Sequence, residues 1–175
     1  RLSMIANHGQ SKRYYHDVVG CNSRLDAMQA AILDIKLSHL DAYNEARRHA
    51  ADYYDKAFSG VKGIRTPYRD ANNKHVFHQY TLTLEGIDRD GMNAWLAEKG
   101  IPSMIYYPVP AHRQKMFDAF GGRDFVLPVT DWLTERVISL PIHTELDREQ
   151  QDFIISHVLE YAGKAVISEV NNQAI

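Results

Sequence analysis

One long stretch near the beginning of the sequence decides the fold. Residues 22–58 read NSRLDAMQAAILDIKLSHLDAYNEARRHAADYYDKAF. Apolar side chains recur in this stretch at steps of three and four residues, which places them on one face of an α-helix. The positions are Leu25, Met28, Ile32, Ile35, Leu40, Tyr43, Ala46, Ala50 and Tyr54. The pattern predicts a single helix that starts at the Ser23-x-x-Asp26 capping box and ends at Phe58.

The predicted helix is long for a chain of this size. More than thirty residues at about 1.5 Å each span roughly 45 Å, more than a domain this small needs for its own core. We therefore expect one end to pack on something outside this chain. Before it, Leu2 to Ile5 followed by Asn7-His8-Gly9 reads as the end of a helix and its stop, without a start signal. We expect the chain to begin in the middle of a longer protein.

The rest of the sequence alternates predicted strands and helices. Residues 10–20 are predicted as a polar, aromatic loop, and residues after Gly163 as a weakly ordered tail. Between them we predict a strand over 76–84, a helix capped by Asp88 and ended by Gly100, a strand over Ile101–Tyr107, a strand over Val137–Leu140 and a helix capped by Asp147. This order predicts an α/β fold, an α+β small domain. Two βαβ-like crossings would build a small mixed sheet with helices on one face, beside the long helix.

Composition narrows the class of protein. With 175 residues, 45% of them hydrophobic and 24% charged, the chain can bury the core of one globular domain. A net charge of -2 with scattered basic residues argues against a nucleic-acid partner. No apolar run approaches the roughly 18 residues that a membrane span needs. The single cysteine, Cys21, fits a reducing compartment. We expect a cytoplasmic protein without a membrane or nucleic-acid partner.

The tripeptide Asn22-Ser23-Arg24 is the strongest candidate site. At the start of the predicted helix, free backbone N–H groups and the positive end of the helix dipole would lie beside an amide and a guanidinium. That combination suits a phosphate or a carboxylate. The alternative is that Ser23 only caps the helix and Arg24 only pairs with Asp26 or Asp17.

Two further groups of residues could carry chemistry. The stretch from Tyr106 to His112 contains two prolines at the end of a predicted strand, and such loops commonly line ligand sites, although it could equally be a rigid turn. His16 beside Asp17 could orient a ligand, titrate or simply form a surface hydrogen bond. His75 and His78 would point to opposite faces of a strand, so we expect no metal site.

Taken together, several motifs resemble the DegT/DnrJ/EryC1/StrS aminotransferase family in order and spacing. The resemblance covers about residues 1–162 and departs from the family's pattern at Ala111, where leucine is more usual. The motifs are NHGQ at 7–10, YHDVVG at 15–20, NSRLDAMQAAIL at 22–33, GIP at 100–102, YPVPAH at 107–112, LP at 127–128 and SLPIH at 139–143.

The resemblance implies the C-terminal domain of a fold type I transferase that depends on pyridoxal phosphate. It implies a homodimer with active sites at the subunit boundary, and transfer of an amino group from L-glutamate to a nucleotide-linked keto-sugar, for a surface polysaccharide or another glycosylated product. Residues 1–24 would lead out of a large domain. Residues 25–162 would form the small domain with the long interdomain helix, and residues 163–175 a weakly ordered tail.

The resemblance also assigns roles to single residues. The match of Asn22 implies contact with the cofactor phosphate of the partner subunit. The matches of Arg24, Tyr107 and His112 imply positions near the sugar nucleotide, and His16 lies in the loop that leads to it. The family's Schiff-base lysine precedes the segment matching Arg1, so we expect no catalytic residue in this chain and no activity from it alone.

Two readings compete with the enzyme fragment. One is a non-enzymatic binding or regulatory module that holds a small anion with the sheet and the Tyr107–His112 loop. The other is a purely structural dimerisation unit. The sequence upstream of Arg1 would distinguish them, because only the enzyme requires a large domain that carries a lysine.

Overall fold

The computed structural model describes residues 1–23 and 25–173, without the side chains of Arg123 and of residues 165–173. The chain divides into two compact units, Arg1–Ala42 and a second unit from Tyr43 onward. The predicted division at residues 24 and 162 stays a prediction. No helix among the described residues is long and apolar enough to cross a membrane.

In the described part of the first unit, two helices and a hairpin precede the helix that begins at Leu40. Helix α1 spans Leu2–Ala6, strands β1 (Gln10–Lys12) and β2 (Tyr15–His16) pair antiparallel, and α2 spans Ala27–Leu37. The hairpin corrects the prediction that residues 10–20 form only a loop. Its turn includes Tyr14 with φ of 71°, a backbone conformation that a sequence pattern does not reveal for a tyrosine.

The predicted single helix over 23–58 is wrong in two respects. The N-cap is Asp26, whose carboxylate accepts hydrogen bonds from the N–H groups of Met28 and Gln29, so the helix starts later than the Ser23 capping box implied. The helix also ends at Leu37, and α3 begins at Leu40. Between them the Ser38 hydroxyl donates to the carbonyl of Ile35, a local side-chain bond that competes with continued helix.

Helix α2 is apolar and yet has no buried residue. Its large apolar side chains, Met28, Ile32, Leu33, Ile35 and Leu37, are all more than half exposed. A helix that is apolar over most of its surface is normally buried. The exposed apolar surface of α2 supports the prediction that this region packs on a part of the protein outside this chain. That packing stays a prediction.

The second unit is built on a three-stranded sheet among the described residues. Helix α3 (Leu40–Phe58) begins just before Tyr43 and lies mostly in this unit. The elements that follow are β3 (Ile64–Arg65), β4 (Tyr80–Leu84), α4 (Arg89–Glu98), α5 (Pro128–Thr134), β5 (Val137–Leu140) and α6 (Arg148–Gln173), with 3-10 helices at Ala111–Arg113, Lys115–Phe120 and Gly122–Asp124. Strand β4 lies between β3 and β5 and pairs antiparallel with both. The predicted α/β class is confirmed.

Two details of the predicted sheet are wrong. Residues 101–107 form no strand, and only Met104 pairs in a bridge, with Ser139 of β5. Pro102 has no N–H to donate to a neighbouring strand, which shortens the pairing at this point. Because the named strands are all antiparallel, the sheet is not mixed. The chain at Met104 pairs with the edge of β5 opposite to β4 and runs parallel to β4, as a βαβ unit requires. The expected parallel direction is found only there.

The caps of the later helices agree with the sequence. Asp88 accepts a hydrogen bond from the N–H of Asp90 at the start of α4. Asp147 and Gln150 bond reciprocally at the start of α6, a capping box in which each side chain accepts from the other's N–H.

The core of the second unit joins β4 to its neighbouring helices. Tyr80, Leu82 and Leu84 are buried while Thr81 and Thr83 between them are partly exposed, so β4 has one core face. Around that face lie Tyr54 and Phe58 of α3, Met92 and Leu96 of α4, Ile138 and Leu140 of β5, and Ile154 and Val158 of α6. Burial of each such large apolar side chain stabilises the fold by roughly 1.5–3 kcal/mol.

Truncation of Leu82 tests this core. We expect Leu82→Ala to lower the free energy of unfolding by roughly 2–5 kcal/mol, because it removes transfer energy and leaves a cavity. Thr83→Ala, on the opposite face of the same strand, should cost less than about 1 kcal/mol. Urea denaturation followed by circular dichroism measures both. Equal losses for the two variants would contradict a one-sided β4.

Candidate functional site

In the first unit, the site is a close contact between two chain segments. The N–H of His8 donates to the carbonyl of Cys21 at 2.9 Å, and the N–H of Cys21 donates to Ile5 at 2.9 Å. Asn7 and Asn22 form an antiparallel bridge. These bonds hold the backbone of Asn22 against the turn that ends α1 and leave Asn22 exposed to solvent.

Glycines make this close contact possible. A Cβ on Gly20 would lie 2.2 Å from the N atom of Gly9 and 2.6 Å from the carbonyl oxygen of Ile5. A Cβ on Gly9 would lie 1.7 Å from the carbonyl oxygen of Val18. Both distances are far inside van der Waals contact, and Gly9 also has φ of 74°. The two glycines therefore set the position of Asn22.

The structure places the predicted residues of this unit as follows. The imidazole Nδ1 of His16 lies 2.8 Å from the carbonyl oxygen of His8, so His16 and Asn22 flank the same turn. Arg24 lies outside the described residues. The expectation that residues 22–24 open the helix is wrong, because the first N–H groups of α2 are bound by Asp26. An anion at Asn22 would be bound by its side chain, without the helix dipole.

In the second unit, the site is a cleft with a volume of about 520 Å³. The bridge between Met104 and Ser139 anchors the start of the loop that forms one side, and α5 forms the other. The lining residues are mostly apolar with a few polar groups, typical of a small-molecule site. They include Tyr106, Tyr107, Val109, Gln114, Thr130 and Thr134.

The loop residues differ in their access to this cleft. Tyr107 is 70% exposed, and its ring contacts the ring of Tyr106 edge to face. His112 does not line the cleft, and its side chain is only 9% exposed. Its Nε2 is buried and has no hydrogen-bond partner among the described residues, with Asp131 Oδ1 at 3.8 Å.

Asp131 of α5 was not among the predicted site residues. Arg113 donates to it twice, from Nε to Oδ1 at 2.9 Å and from Nη2 to Oδ2 at 2.6 Å. This hydrogen bonding, with the guanidinium charge, holds the pKa of the Asp131 carboxyl below its usual value. The signal was present in the sequence, because Pro128 at the first turn of a helix followed by apolar positions predicts α5.

Among the described residues, no group of histidine, cysteine, aspartate or glutamate side chains is arranged to hold a metal ion. His75 instead accepts a hydrogen bond from the N–H of Phe77 at 2.8 Å.

Comparisons with known proteins agree on one family. A sequence model of the DegT/DnrJ/EryC1/StrS aminotransferase family matches residues 1–159. A UDP-N-acetyl-3-dehydro-α-D-glucosamine 3-aminotransferase of Acidithiobacillus ferrooxidans is 46% identical over 150 residues, which are 86% of this chain and 39% of that protein. A pleiotropic regulatory protein of Geobacillus stearothermophilus is 41% identical over 163 residues, 92% of this chain and 43% of that protein.

A solved structure has the same fold. The crystal structure of DesV from S. venezuelae in complex with a ketimine intermediate superposes with a TM-score of 0.86 at 36% identity, over 93% of this chain and 43% of that one. These findings confirm the predicted family and fold. The chain thus spans about two fifths of the length of the relatives it matches.

The glycine contact in the first unit yields a test. We expect Gly20→Ala to displace residues 20–22 and to speed amide hydrogen exchange at His8 and Cys21 at least roughly tenfold, because the methyl group overlaps backbone atoms. Gly163→Ala is the control. Its Cβ meets nothing within 4 Å in α6, so it should leave those amides unchanged. Unaltered exchange in Gly20→Ala would show that the segment tolerates a side chain.

Proposed function

Because the chain belongs to the DegT/DnrJ/EryC1/StrS aminotransferase family, we propose that the full-length protein is an aminotransferase dependent on pyridoxal phosphate. Its reaction moves an amino group from L-glutamate to a nucleotide-linked keto-sugar. The observation that carries the proposal is the match of residues 1–159 together with 46% identity to an aminotransferase named for a UDP-linked dehydro-sugar. Other relatives are named as transaminases of dTDP-linked amino sugars.

The residues of this chain fit the cofactor in part. The exposed Asn22 amide, held in place by the Gly9–Gly20 contact, is a suitable donor to a phosphate group. No lysine in the described part of the chain suits the covalent bond to the cofactor, because every one of them is exposed. A lysine that binds this cofactor normally needs a sheltered, desolvated position. We infer that this lysine lies in a part of the protein outside residues 1–175, and that this chain alone is inactive.

The residues of this chain would then bind and orient the cofactor and the sugar nucleotide. The cofactor, when bound, supplies the electron sink for amino transfer. Asn22 would donate a hydrogen bond to the cofactor phosphate of a partner subunit in a homodimer, with His16 beside it on the same turn. Tyr107 and the cleft beside α5 would hold the sugar nucleotide, as would Arg24. His112 is buried and does not line the cleft, so it would act on the sugar nucleotide through the loop that carries Tyr107.

The exposed surface of α2 supports a larger assembly. Its apolar side chains are uncovered in this chain, and the matched relatives are more than twice as long. We propose that the remaining part of the polypeptide covers α2. We also propose that the protein acts in the cytoplasm, where sugar nucleotides are made.

A second candidate function is a non-enzymatic or regulatory protein of the same fold. It is favoured by the names of two relatives, the Geobacillus pleiotropic regulatory protein and an erythromycin biosynthesis sensory transduction protein of Saccharopolyspora erythraea. Such a protein could bind a small anion without transferring an amino group.

Visible absorption separates the two functions. We expect the full-length protein to show an absorption band of bound pyridoxal phosphate that is lost when glutamate is added, because the bound cofactor then carries the amino group. The 175-residue chain should show neither the band nor the loss. A full-length protein that binds no cofactor would favour the regulatory function.

The role of Asn22 can be measured in the same protein. We expect Asn22→Ala to weaken cofactor binding roughly tenfold or more, because a hydrogen bond to a charged phosphate is lost. Asn72→Ala, in an exposed loop, is the control and should bind normally.

A mixed dimer tests whether Asn22 acts across the subunit boundary. One subunit carries Asn22→Ala and the other lacks the lysine that holds the cofactor. At limiting cofactor, activity should return to up to about half of the wild-type value, since one site then has both groups intact. No recovery would mean that Asn22 serves its own subunit.

A further inference from the structure

The contact between Arg113 and Asp131 joins the two sides of the cleft. Arg113 ends the 3-10 helix that follows Tyr107 and the two prolines, and Asp131 lies in the first turn of α5. Its two parallel hydrogen bonds, 2.9 Å and 2.6 Å long, link two planar groups. Such a contact fixes orientation as well as distance. It therefore determines how the loop that carries Tyr107 lies against α5.

This ion pair contributes little to stability. The side chains of Arg113 and Asp131 are 52% and 30% exposed, and ion pairs in water add little to the free energy of folding. The contact therefore matters more for the orientation of the loop than for the free energy of folding. A role in positioning the loop explains the two-point geometry better than a role in folding.

His112 supplies a second, independent observation. Its buried Nε2 has no hydrogen-bond partner among the described residues and lies 3.8 Å from Asp131 Oδ1. A hydrogen bond needs about 2.8 Å, so the loop is roughly 1 Å from closing this contact. Either the protonated ring or the tautomer with hydrogen on Nε2 can donate. Since an unpaired buried nitrogen is unfavourable, a ligand that draws the loop toward α5 gains this bond.

We propose that Asp131 is a positioning residue that sets the width of the cleft, through Arg113 in the open form and through His112 in the closed one, and so controls nucleotide binding. The proposal rests on the function proposed above. In this role Asp131 acts on the bound nucleotide through the loop that carries Arg113 and His112, and not by contact with the reacting atoms. Asp131 remains ionised near neutral pH, because the Arg113 hydrogen bond keeps its carboxyl pKa low.

Nucleotide binding to the full-length protein tests the proposal. We expect Asp131→Asn to weaken binding of UDP or dTDP, whichever the wild type binds, by roughly tenfold in titration calorimetry. The loss of cofactor absorption on adding glutamate should be unchanged, because glutamate carries no nucleotide. Glu135→Gln, which alters a carboxylate at the other end of α5, is the matched control and should change neither measurement.

A second variant tests whether Asp131 acts through Arg113. Arg113→Gln should also weaken nucleotide binding, but by less than Asp131→Asn, because the proposed contact of Asp131 with His112 remains. The double variant should bind no more weakly than Asp131→Asn, since that variant already alters the contact with Arg113. Losses that multiply in the double variant would overturn the proposal. So would an equal effect of Asp131→Asn on the glutamate response, which would indicate general damage to the fold.

Loop mobility gives a readout that does not depend on activity. The N–H groups of Arg113 and Gln114 donate to Pro110 and Ala111 in the 3-10 turn. We expect both amides to exchange faster in Asp131→Asn and to be unchanged in Glu135→Gln. If the wild type binds neither UDP nor dTDP, the proposed substrate class is wrong. Amide exchange at Arg113 and Gln114 then tests the positioning role by itself. Unchanged exchange would refute the positioning role in either case.

Discussion

Burial of the core face of β4 holds the second unit together. Tyr80, Leu82 and Leu84 project into a space closed by α3, α4 and α6, and Tyr54 of α3 lies at 4.9 Å, ring to ring, from Tyr80. The polar ends of these rings are satisfied, since Tyr54 donates to the carbonyl of Pro141 and Tyr80 to Asp55. The same burial raises the pKa of both tyrosines, so they stay neutral donors.

The sheet of the second unit determines where the cleft lies. Strand β5 pairs with β4 on one side and with Met104 on the other. The chain then leaves the sheet at a fixed point and enters the loop of Tyr107, while α5 leads directly into β5. Because both sides of the cleft are tied to β5, the proposed role of Asp131 is to set the distance between the loop and α5 at the other end of the cleft.

Local patterns predicted much of this structure, and long-range pairing accounts for the rest. Alternation in β4 and the caps Asp88 and Asp147 are carried by neighbouring residues, so they could be read from the sequence. The break between α2 and α3 is marked by a side-chain hydrogen bond of Ser38, which the apolar periodicity does not reveal. The approach of Arg113 to Asp131 depends on where separate segments meet. The family motifs indicated Asn22, Tyr107 and His112 as site residues. The three-dimensional structure was needed to show that His112 is buried while Tyr107 is exposed.

The packing of Gly9 against Gly20 has a consequence for how this segment can change over evolutionary time. A methyl group on Gly20 collides with the backbone of Gly9, and one on Gly9 collides with Val18, two residues before Gly20. Both substitutions push residues 5–9 and 18–20 apart, so the second should cost less than the first, although a side chain at position 9 keeps the strain of its φ of 74°. The pair is therefore epistatic. A lineage that has lost Gly20 can lose Gly9 at a lower cost than before, and a single reversion at either position then regains only part of the loss.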